Sequence, residues 1–316
     1  MINVTIKQLR YFDALARELH FGRAADACSV TQPALSMQIQ ELELNLGLTL
    51  LERTRSGVRL TRQGAEVAER TAKVLGDVRD LIEYARHGEE VLSGGLRLGV
   101  IPSLAPYLMP PLLPLVREAY PELQIHLRET QTQTLLQELG DGKLDAVLLA
   151  LPVRGSELET RELFTDHFVL ALPADRELSK SVKATPDLIE QERLLLLEEG
   201  HCLRDQALTY CELQQVRGIN TFGASSLATI VEMVSAGYGI TLLPEVSLPL
   251  ETRGRDLQQL RFEDPQPYRT IGLVWRKTSP RHADFEALAE LAKTAGTELI
   301  KKAAKTTAKA QRATAA

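Results

Sequence analysis

Residues 21–43 read FGRAADACSVTQPALSMQIQELE and predict two short helices joined by a tight turn. Pro33 suits the first turn of the second helix, where its missing N–H has no hydrogen bond to make. Gly47 is placed to end this helix. Apolar residues at helical spacing define the buried side of the second helix: Leu35, Ile39, Leu42 and Leu46. The order of helix, turn and helix is typical of a helix-turn-helix unit.

Further elements are predicted on both sides of this unit. A helix precedes it from Thr5 to Leu19, and a two-stranded wing follows over residues 50–60. From Thr61, which suits the helix cap, apolar residues recur every three or four positions to about Arg86. Such a helix reaches roughly 40 Å, longer than one small domain needs. Because its apolar stripe is narrow, we predict that it pairs with the same helix of a second chain.

The remainder of the chain has a different pattern of apolar residues. Apolar runs alternate with helical segments, which favours an α/β domain with a largely parallel sheet. Residues 88–95, with Ser-Gly-Gly, are predicted to be a hinge, and residues 297–316, rich in Ala, Lys and Thr, to be disordered. The predicted strands are Leu96–Ile101, Leu123–Leu127, Ala146–Leu151, Phe168–Leu172, Leu194–Leu197, Ile240–Leu243 and Ile271–Trp275.

Charge and composition limit the class of protein. The 316 residues carry a net charge of −5, which argues weakly against a nucleic-acid partner. Residues 1–65, however, carry eight basic and six acidic side chains, and four of the basic ones lie between Arg53 and Arg62. The sequence has neither a run of eighteen apolar residues nor an export signal, so a cytoplasmic protein that does not contact membranes is expected.

Three cysteines are too few for a disulfide framework, and their spacing matches no metal site. Neither a metal nor a cofactor is therefore expected. Cys28 lies among alanines in a short helix and is interpreted as a packing residue. Cys202 and Cys211 are nine positions apart and form a candidate redox pair.

The first ninety residues resemble LysR-type transcription regulators. The match is carried by residues 21–43, by Leu51-Glu52-Arg53-Thr54 and by Leu60-Thr61-Arg62-Gln63-Gly64. The resemblance implies a DNA-binding regulator, not an enzyme, that binds promoter DNA, forms homotetramers and acts on RNA polymerase. It implies a winged helix-turn-helix (all-α with a β wing) over 1–61, a linker helix over 62–87 and a two-lobed α/β effector domain like periplasmic binding proteins over 96–296. Lobe I covers about 96–164 and 269–296, and lobe II about 165–268.

Polar residues on the outer side of the recognition helix are predicted to read DNA. Amides and hydroxyls there suit base edges, and a proline suits a thymine methyl group. Thr31 at the helix N-terminus suits a phosphate, while Arg53 and Arg55 on the wing suit the backbone or the minor groove. A merely solvated polar face does not explain why turn, wing and long helix occur together. The residues predicted on the helix are Gln32, Pro33, Ser36 and Gln40.

Residues 199–211, EGHCLRDQALTYC, resemble the peroxide-sensing members of the same family. The resemblance implies that hydrogen peroxide is the signal, that Cys202 reacts with it and that Cys211 is the disulfide partner. A thioredoxin- or glutaredoxin-type reductant would then reset the sensor. Ser103 stands where the family more usually has threonine. The implied peroxide pocket consists of Ser103, Thr132, His201, Arg204 and Asp205.

Residue chemistry supports this assignment. Only a thiolate attacks peroxide, and the basic neighbours His201 and Arg204 favour the charged form of a nearby thiol. Asp205 opposes them and is more plausible as a proton relay or as an acceptor for Arg204. If one helix runs from Cys202 to Cys211, their α-carbons lie roughly 13 Å apart on opposite faces. A disulfide needs less than about 7 Å, so the helix must unwind, and oxidation would select between two packings of one segment.

Other functions are compatible with parts of this pattern. One alternative is a LysR-type regulator that binds an organic metabolite between its lobes, with Ser103 and Thr132 holding a carboxylate. A peroxidase would use Cys202 but leave the N-terminal ninety residues unexplained. A transport-type binding protein lacks its export signal. The two cysteines could also be unreactive core residues.

Overall fold

The computed structural model describes residues 3–54, 57–86, 91–176, 183–190, 192–213 and 221–314. The chain divides into two compact units, one comprising Met1–Arg86 with Gly140–Lys143 and the other the remainder. Within the described ranges, none of the helices is both long and apolar enough to cross a membrane.

The N-terminal unit is a winged helix-turn-helix, as the sequence predicts. Its first helix begins with a capping box, in which Thr5 and Gln8 each bond the backbone N–H of the other. Gly47 ends the third helix in the left-handed conformation (φ 67°), which glycine adopts without strain. The elements are α1 (Ile6–Glu18), α2 (Phe21–Ala27), α3 (Gln32–Leu46), β1 (Leu51–Thr54), β2 (Gly57–Leu60) and α4 (Arg62–Arg86).

Its core contains three of the four apolar residues predicted for the buried side of α3, whereas the fourth, Leu46, is exposed at the last turn of the helix. Phe12 and Leu15 of α1 are fully buried against Leu35 and Leu42 of α3. Side chains of this size each contribute about 1.5–3 kcal/mol when buried. Burial of one side of α3 leaves its opposite, polar side facing outward.

The long helix α4 starts at a tightly fixed point. The hydroxyl of Thr61 accepts a hydrogen bond from the N–H of Gly64 (2.8 Å), which caps the helix. A side chain at Gly64 would have its Cβ 2.0 Å from the carbonyl oxygen of Leu50, so only glycine fits this contact. Leu81 and Ile82 of α4 are exposed (66% and 44%) within this unit. Exposed apolar residues on a long helix support the predicted pairing with a second chain.

The C-terminal unit is an α/β structure. Besides the helices and strands given next, this unit contains a short 3-10 turn (Glu245–Ser247) directly before the helix that starts at Leu248. Its elements are β3 (Gly94–Val100), α5 (Ala105–Ala119), β4 (Leu123–Glu129), α6 (Thr132–Gly140), β5 (Ala146–Leu151), β6 (Leu158–Pro173), α7 (Pro186–Glu190), β7 (Leu194–Leu197), α8 (Cys202–Leu213), β8 (Thr221–Ala224), α9 (Leu227–Ser235), β9 (Thr241–Pro244), α10 (Leu248–Glu251), β10 (Leu257–Arg261), β11 (Tyr268–Arg276) and α11 (His282–Thr314).

The main sheet is mixed, so the prediction of a largely parallel sheet is wrong. Its strands follow the order β10-β6-β11-β5-β3-β4, and β9 also pairs with β6. Only β3 is parallel to its neighbours β4 and β5, whereas β6 and β11 are antiparallel to theirs. β7 and β8 form a separate parallel pair. Apolar runs locate strands but do not give their direction, which depends on distant pairings.

Two separate apolar cores give the unit two lobes. The first lies around β3, β5 and the start of α11 and includes Leu148, Trp275 and Phe285. The second lies around the end of β6, β7 and α9 and includes Phe168 and Leu243. The long strand β6 belongs to both, because its first part pairs with β11 and its last part with β9 and β10.

Two further expectations need correction. The sequence pattern missed β8, β10 and the first half of β6, where polar and charged residues interrupt the apolar runs. The tail predicted to be disordered instead continues α11 to Thr314. Alanine, lysine and glutamine are strong helix formers, and they extend a helix that packing has already started. Hinge residues 88–90 and residues 315–316 lie outside the described part of the chain.

Candidate functional site

The recognition helix presents the predicted DNA-reading residues on its outer side. Gln32, Pro33 and Gln40 are exposed and Ser36 is half-buried. The residues on the opposite side of α3 are buried, namely Leu35, Ile39 and Leu42. Thr31 is the N-cap residue, and its side chain makes no capping hydrogen bond. The polar side of α3 is therefore available for contacts outside the chain.

The wing meets this surface. Gln32 and Ser36 line a shallow depression together with His20 and with Gly57 and Val58 of β2. His20 was not predicted; its Nδ1 accepts hydrogen bonds from the N–H groups of Gly22 (3.1 Å) and Arg23 (3.2 Å) and so caps α2. The side chain of Arg53 and the whole of Arg55 lie outside the described residues.

Cys28 packs against the core of this unit, as the sequence suggests. Burial raises the pKa of its thiol, although the charges of Arg10 and Arg17 act in the opposite direction. A thiol kept neutral in this way is a poor nucleophile. The position therefore fits a packing residue.

The candidate sensor segment begins at a sharp turn. Gly200 has a left-handed φ of 90°, and a Cβ there would lie 2.6 Å from Oε1 of Gln131. Nε2 of Gln131 also donates a hydrogen bond to the carbonyl oxygen of Glu199 (3.4 Å). These contacts hold the start of α6, where Thr132 lies, beside the turn that leads into α8.

Cys202 and Cys211 occupy one helix but contact different cores. Cys202, the first residue of α8, is half-buried and packs against the first core. Cys211 is fully buried in the second core. Burial, with a smaller effect from the charge of Glu212, raises the pKa of the Cys211 thiol to about 11. Because α8 is continuous, the α-carbons are separated by roughly 13 Å, and a disulfide cannot form without unwinding.

The predicted neighbours of Cys202 are only partly assembled. The Nη1 of Arg204 donates to the carbonyl oxygen of Leu197 (3.2 Å), which fixes its side chain at the end of β7. Asp205 is exposed and, among the described residues, makes no ion pair with Arg204. The suggestion that Asp205 orients Arg204 is therefore not supported by the geometry.

Ser103 is held by a buried ion pair that the sequence interpretation missed. Arg269 donates to the Ser103 hydroxyl (2.8 Å) and to its carbonyl oxygen (3.0 Å). Nε of Arg269 pairs with Asp166 (2.9 Å), whose other oxygen accepts the N–H of Val246 (3.1 Å). Burial raises the pKa of the Asp166 carboxyl, and the guanidinium of Arg269 opposes this shift. Arg269 uses one lone pair of the Ser103 hydroxyl oxygen as acceptor, so the serine proton remains free for another acceptor.

Two polar atoms nearby have no hydrogen-bond partner. Oγ1 of Thr132 and Oε1 of Gln206 are both buried and unpaired in the described chain. Leaving such an atom unsatisfied costs about 1–3 kcal/mol. A small polar molecule with donors and acceptors would remove this cost. Gln206 lies four positions after Cys202, so the two share one side of α8.

An adjacent cavity of about 250 Å³ lies beside Ser103 and His201. Of the other predicted pocket residues, none of Thr132, Arg204 and Asp205 lines it. Neither lysine nor arginine occurs among the residues that form its wall, whereas two carboxylates do. The Tyr107 hydroxyl donates to one of them, Glu251 (2.8 Å). The wall consists of Pro102, Ser103, Pro106, Tyr107, Glu129, Leu197, His201, Ser225, Ser226, Leu227, Ala228 and Glu251.

Comparison with known families settles the class of this protein. Residues 6–65 match the bacterial regulatory helix-turn-helix protein, lysR family, and residues 89–297 match the LysR substrate binding domain. The chain belongs to the LysR family. The predicted winged helix-turn-helix, linker helix and α/β effector domain are thereby confirmed, and the enzyme and transport alternatives are disfavoured.

Its relatives within the family include peroxide regulators. The DNA-binding transcriptional dual regulator OxyR of Escherichia coli is 42% identical over 91% of this chain and 94% of its own length. A full-length OxyR variant from Pseudomonas aeruginosa is similar in structure, with a TM-score of 0.74, 35% identity and coverage of 92% and 95% of the two chains. A peroxide-bound OxyR variant from Corynebacterium glutamicum gives a TM-score of 0.64, with 35% identity and coverage of 96% and 97%.

The environment of Cys211 predicts slow thiol labelling. At neutral pH, a rise in pKa from 9.0 to about 11 lowers the thiolate fraction about 100-fold relative to an ordinary thiol. In a Cys28→Ser protein, we expect iodoacetamide to modify Cys202 well before Cys211, as measured by peptide mass spectrometry. As a control, a Cys28→Ser/Cys202→Ser protein leaves Cys211 as its only thiol. In urea, where the protein is unfolded, Cys202 and Cys211 should be labelled at equal rates, which would show that the difference arises from the fold.

The same shift gives the direction of the pH dependence. A raised folded-state pKa contributes stability that is complete below pH 9 and is lost as the pH rises through about 11. Labelling of Cys211 should therefore accelerate steeply over this interval. Rapid labelling of Cys211 at pH 7 in the reduced, folded protein would contradict the buried position.

Proposed function

We propose that this chain is an OxyR-type transcription regulator that senses hydrogen peroxide through Cys202. One observation carries the proposal: a single intact helix begins at Cys202, directly after the turn that Gln131 contacts, and holds Cys211 in a separate core. This arrangement keeps the two thiols apart until one of them has reacted. The OxyR relatives support the choice of peroxide as the signal.

The chemistry requires two steps. The Cys202 thiolate attacks one oxygen of hydrogen peroxide, the O–O bond breaks, and the leaving hydroxide takes a proton to become water. The resulting sulfenic acid is attacked by the Cys211 sulfur, which forms the disulfide and releases a second water. Two thiols are oxidised and one peroxide is reduced. Ser103, Thr132, His201, Arg204 and Gln206 are the residues proposed to bind peroxide and support proton transfer, with Asp205 at the margin of this group.

The second step changes the fold. To reach Cys202, Cys211 must leave the second core, so the bonds of α8 break and the apolar contacts of Cys211 are lost. The covalent bond then maintains a different packing of residues 202–213. A small change in a packed segment can produce a large conformational change, because a packed core adopts one of a few discrete arrangements and does not deform continuously. A regulator that pairs through α4 and assembles into a tetramer would transmit this change to its promoter half-sites and to RNA polymerase.

The remaining features of the proposal follow from this chemistry. The Thr31, Gln32, Pro33, Ser36, Gln40, Arg53 and Arg55 positions supply the DNA contacts. A regulator that returns to the dithiol state must act where thiols are kept reduced, which is the cytoplasm. A thioredoxin- or glutaredoxin-type reductant would complete the cycle.

A metabolite-responsive regulator is disfavoured by the cavity. Its 250 Å³ lies below the usual range for organic ligands, about 300–1,000 Å³. Glu129 and Glu251 in the wall would also repel an anion.

Intact-mass analysis tests the proposal. One equivalent of peroxide added to the reduced protein should remove two hydrogen atoms, and peptide mapping should assign the loss to a Cys202–Cys211 disulfide. Thioredoxin with its reductase should restore the original mass. An unchanged mass after peroxide, or oxidation that stops at Cys28, would refute it.

A further inference from the structure

The last part of α11 extends beyond the segment that matches the LysR family, which ends at residue 297. It remains attached to the effector unit for nearly two more turns, as far as Ala303. Leu299 and Ile300 pack against the second core, and Ala303 is fully buried. This side of the helix is therefore fixed, and the opposite side is directed away from the core.

The opposite side carries a stripe of positive charge, hereafter the basic stripe. At 3.6 residues per turn, its five positions fall within an arc of about 100°, roughly opposite Ala303. Lys301, Lys302 and Lys305 are exposed. Residues 297–316 contain five basic residues and one acidic residue, a net charge of +4 in a chain of −5, so the preceding 296 residues carry −9. The exposed side chains of the basic stripe are Lys301, Lys302 and Lys305, and the helical positions of Lys309 and Arg312 continue its arc.

The single acidic residue of this segment does not neutralise the basic stripe. Glu298 pairs with Lys301 (2.7 Å), but both side chains are more than 60% exposed, and such pairs are weak and easily exchanged. The hydrogen bond from Lys301, with the added charge of Lys305, lowers the pKa of the Glu298 carboxyl. The positive field of the basic stripe thus extends to a neighbouring carboxylate.

We propose that the basic stripe binds the phosphate backbone of duplex DNA, independently of base sequence, as a contact additional to the helix-turn-helix. The five positions span about 16 Å along the helix, and duplex DNA presents one negative charge per about 1.7 Å of its axis. A lysine-rich helix face contacts phosphates and not base edges, so it increases the affinity for DNA without discriminating between sequences. DNA is favoured over another polyanion because the same chain carries a DNA-binding helix-turn-helix, so the second contact is intramolecular and its effective concentration is raised.

Binding of the full-length reduced protein to fluorescent duplexes over a salt series tests the proposal. One duplex contains the operator and the other is of the same length and scrambled sequence. The test variant is K301Q/K302Q/K305Q/K309Q/R312Q, in which glutamine keeps a high helix propensity. The matched control is K301R/K302R/K305R/K309R, which keeps the charge. Circular dichroism verifies that both variants retain the helix.

For the scrambled duplex, we expect the glutamine variant to lose about 4 units of the slope of log K against log salt per engaged chain. Its affinity should fall at least about 10-fold at low salt, and the arginine control should match the original protein. The footprint on the operator should keep its boundaries, since α3 is unchanged. An unaltered slope in the glutamine variant, including the case in which the basic stripe binds an acidic protein instead, would overturn the proposal. An equal loss in the arginine control would do so as well.

Discussion

Replacing Cys202 with serine is expected to abolish induction by hydrogen peroxide while operator binding stays at the level of the reduced protein. A serine hydroxyl does not form a sulfenic acid, so neither the oxidation nor the disulfide can follow. The substitution removes one sulfur at the first residue of α8 and leaves the second core untouched. A promoter reporter in cells and the intact mass of the purified protein after peroxide measure the two consequences.

The Cys211→Ser variant separates the oxidation of Cys202 from the conformational change in α8. Cys202 should still be oxidised in this variant, and dimedone should trap the sulfenic acid. However, no disulfide can hold α8 open, so transcription should respond weakly or not at all. Cys28→Ser is the matched control and should behave like the unmodified protein, because Cys28 packs in the N-terminal core. A normal peroxide response in a Cys202→Ser/Cys211→Ser protein would exclude the proposed mechanism.

The N-terminal unit could be predicted closely because its determinants are local. Pro33 and Gly47 mark the ends of α3, and Thr61 marks the start of α4, each within a few residues of the elements that they define. The helix from Cys202 to Cys211 entered the sequence argument only as a condition, and the structure contains it. Gln206 could also have been recognised, because a position four residues after Cys202 shares its side of the helix.

Arg269 and Asp166 could not be predicted in this way. They are 103 positions apart and face each other only because β6 and β11 pair in one register. Opposite charges at directly opposed positions of neighbouring strands are favourable, but the register depends on the whole sheet. The antiparallel direction of these strands was missed for the same reason. Contacts between distant strands are therefore the part of the site that required the structure.

Arg269→Met is expected to reduce both stability and sensing. Removing one partner of a fully buried ion pair leaves the other charge uncompensated, which costs about 3–5 kcal/mol. It also releases the hydroxyl of Ser103, and a misplaced group of this kind slows a reaction by about 10- to 100-fold. Urea unfolding measures the first effect. The rate of Cys202 oxidation, followed by quenched mass spectrometry at temperatures where the variant is folded, measures the second.

The double variant Arg269→Met/Asp166→Asn distinguishes charge from packing. Asparagine is neutral yet still offers an oxygen to the N–H of Val246, so this protein should be more stable than Arg269→Met although it carries one more substitution. Without Arg269, the pKa of Asp166 should rise further, because the guanidinium is the main influence that lowers it. A raised carboxyl pKa favours folding at low pH, and this advantage is lost as the pH rises through the folded-state pKa. The stability deficit of Arg269→Met should therefore shrink on acidification, and that of the double variant should not. If both deficits were equal and independent of pH, Arg269 would matter only as a packing side chain. Oxidation that is as slow in the double variant as in Arg269→Met would show that the released serine, not the buried charge, controls the reaction.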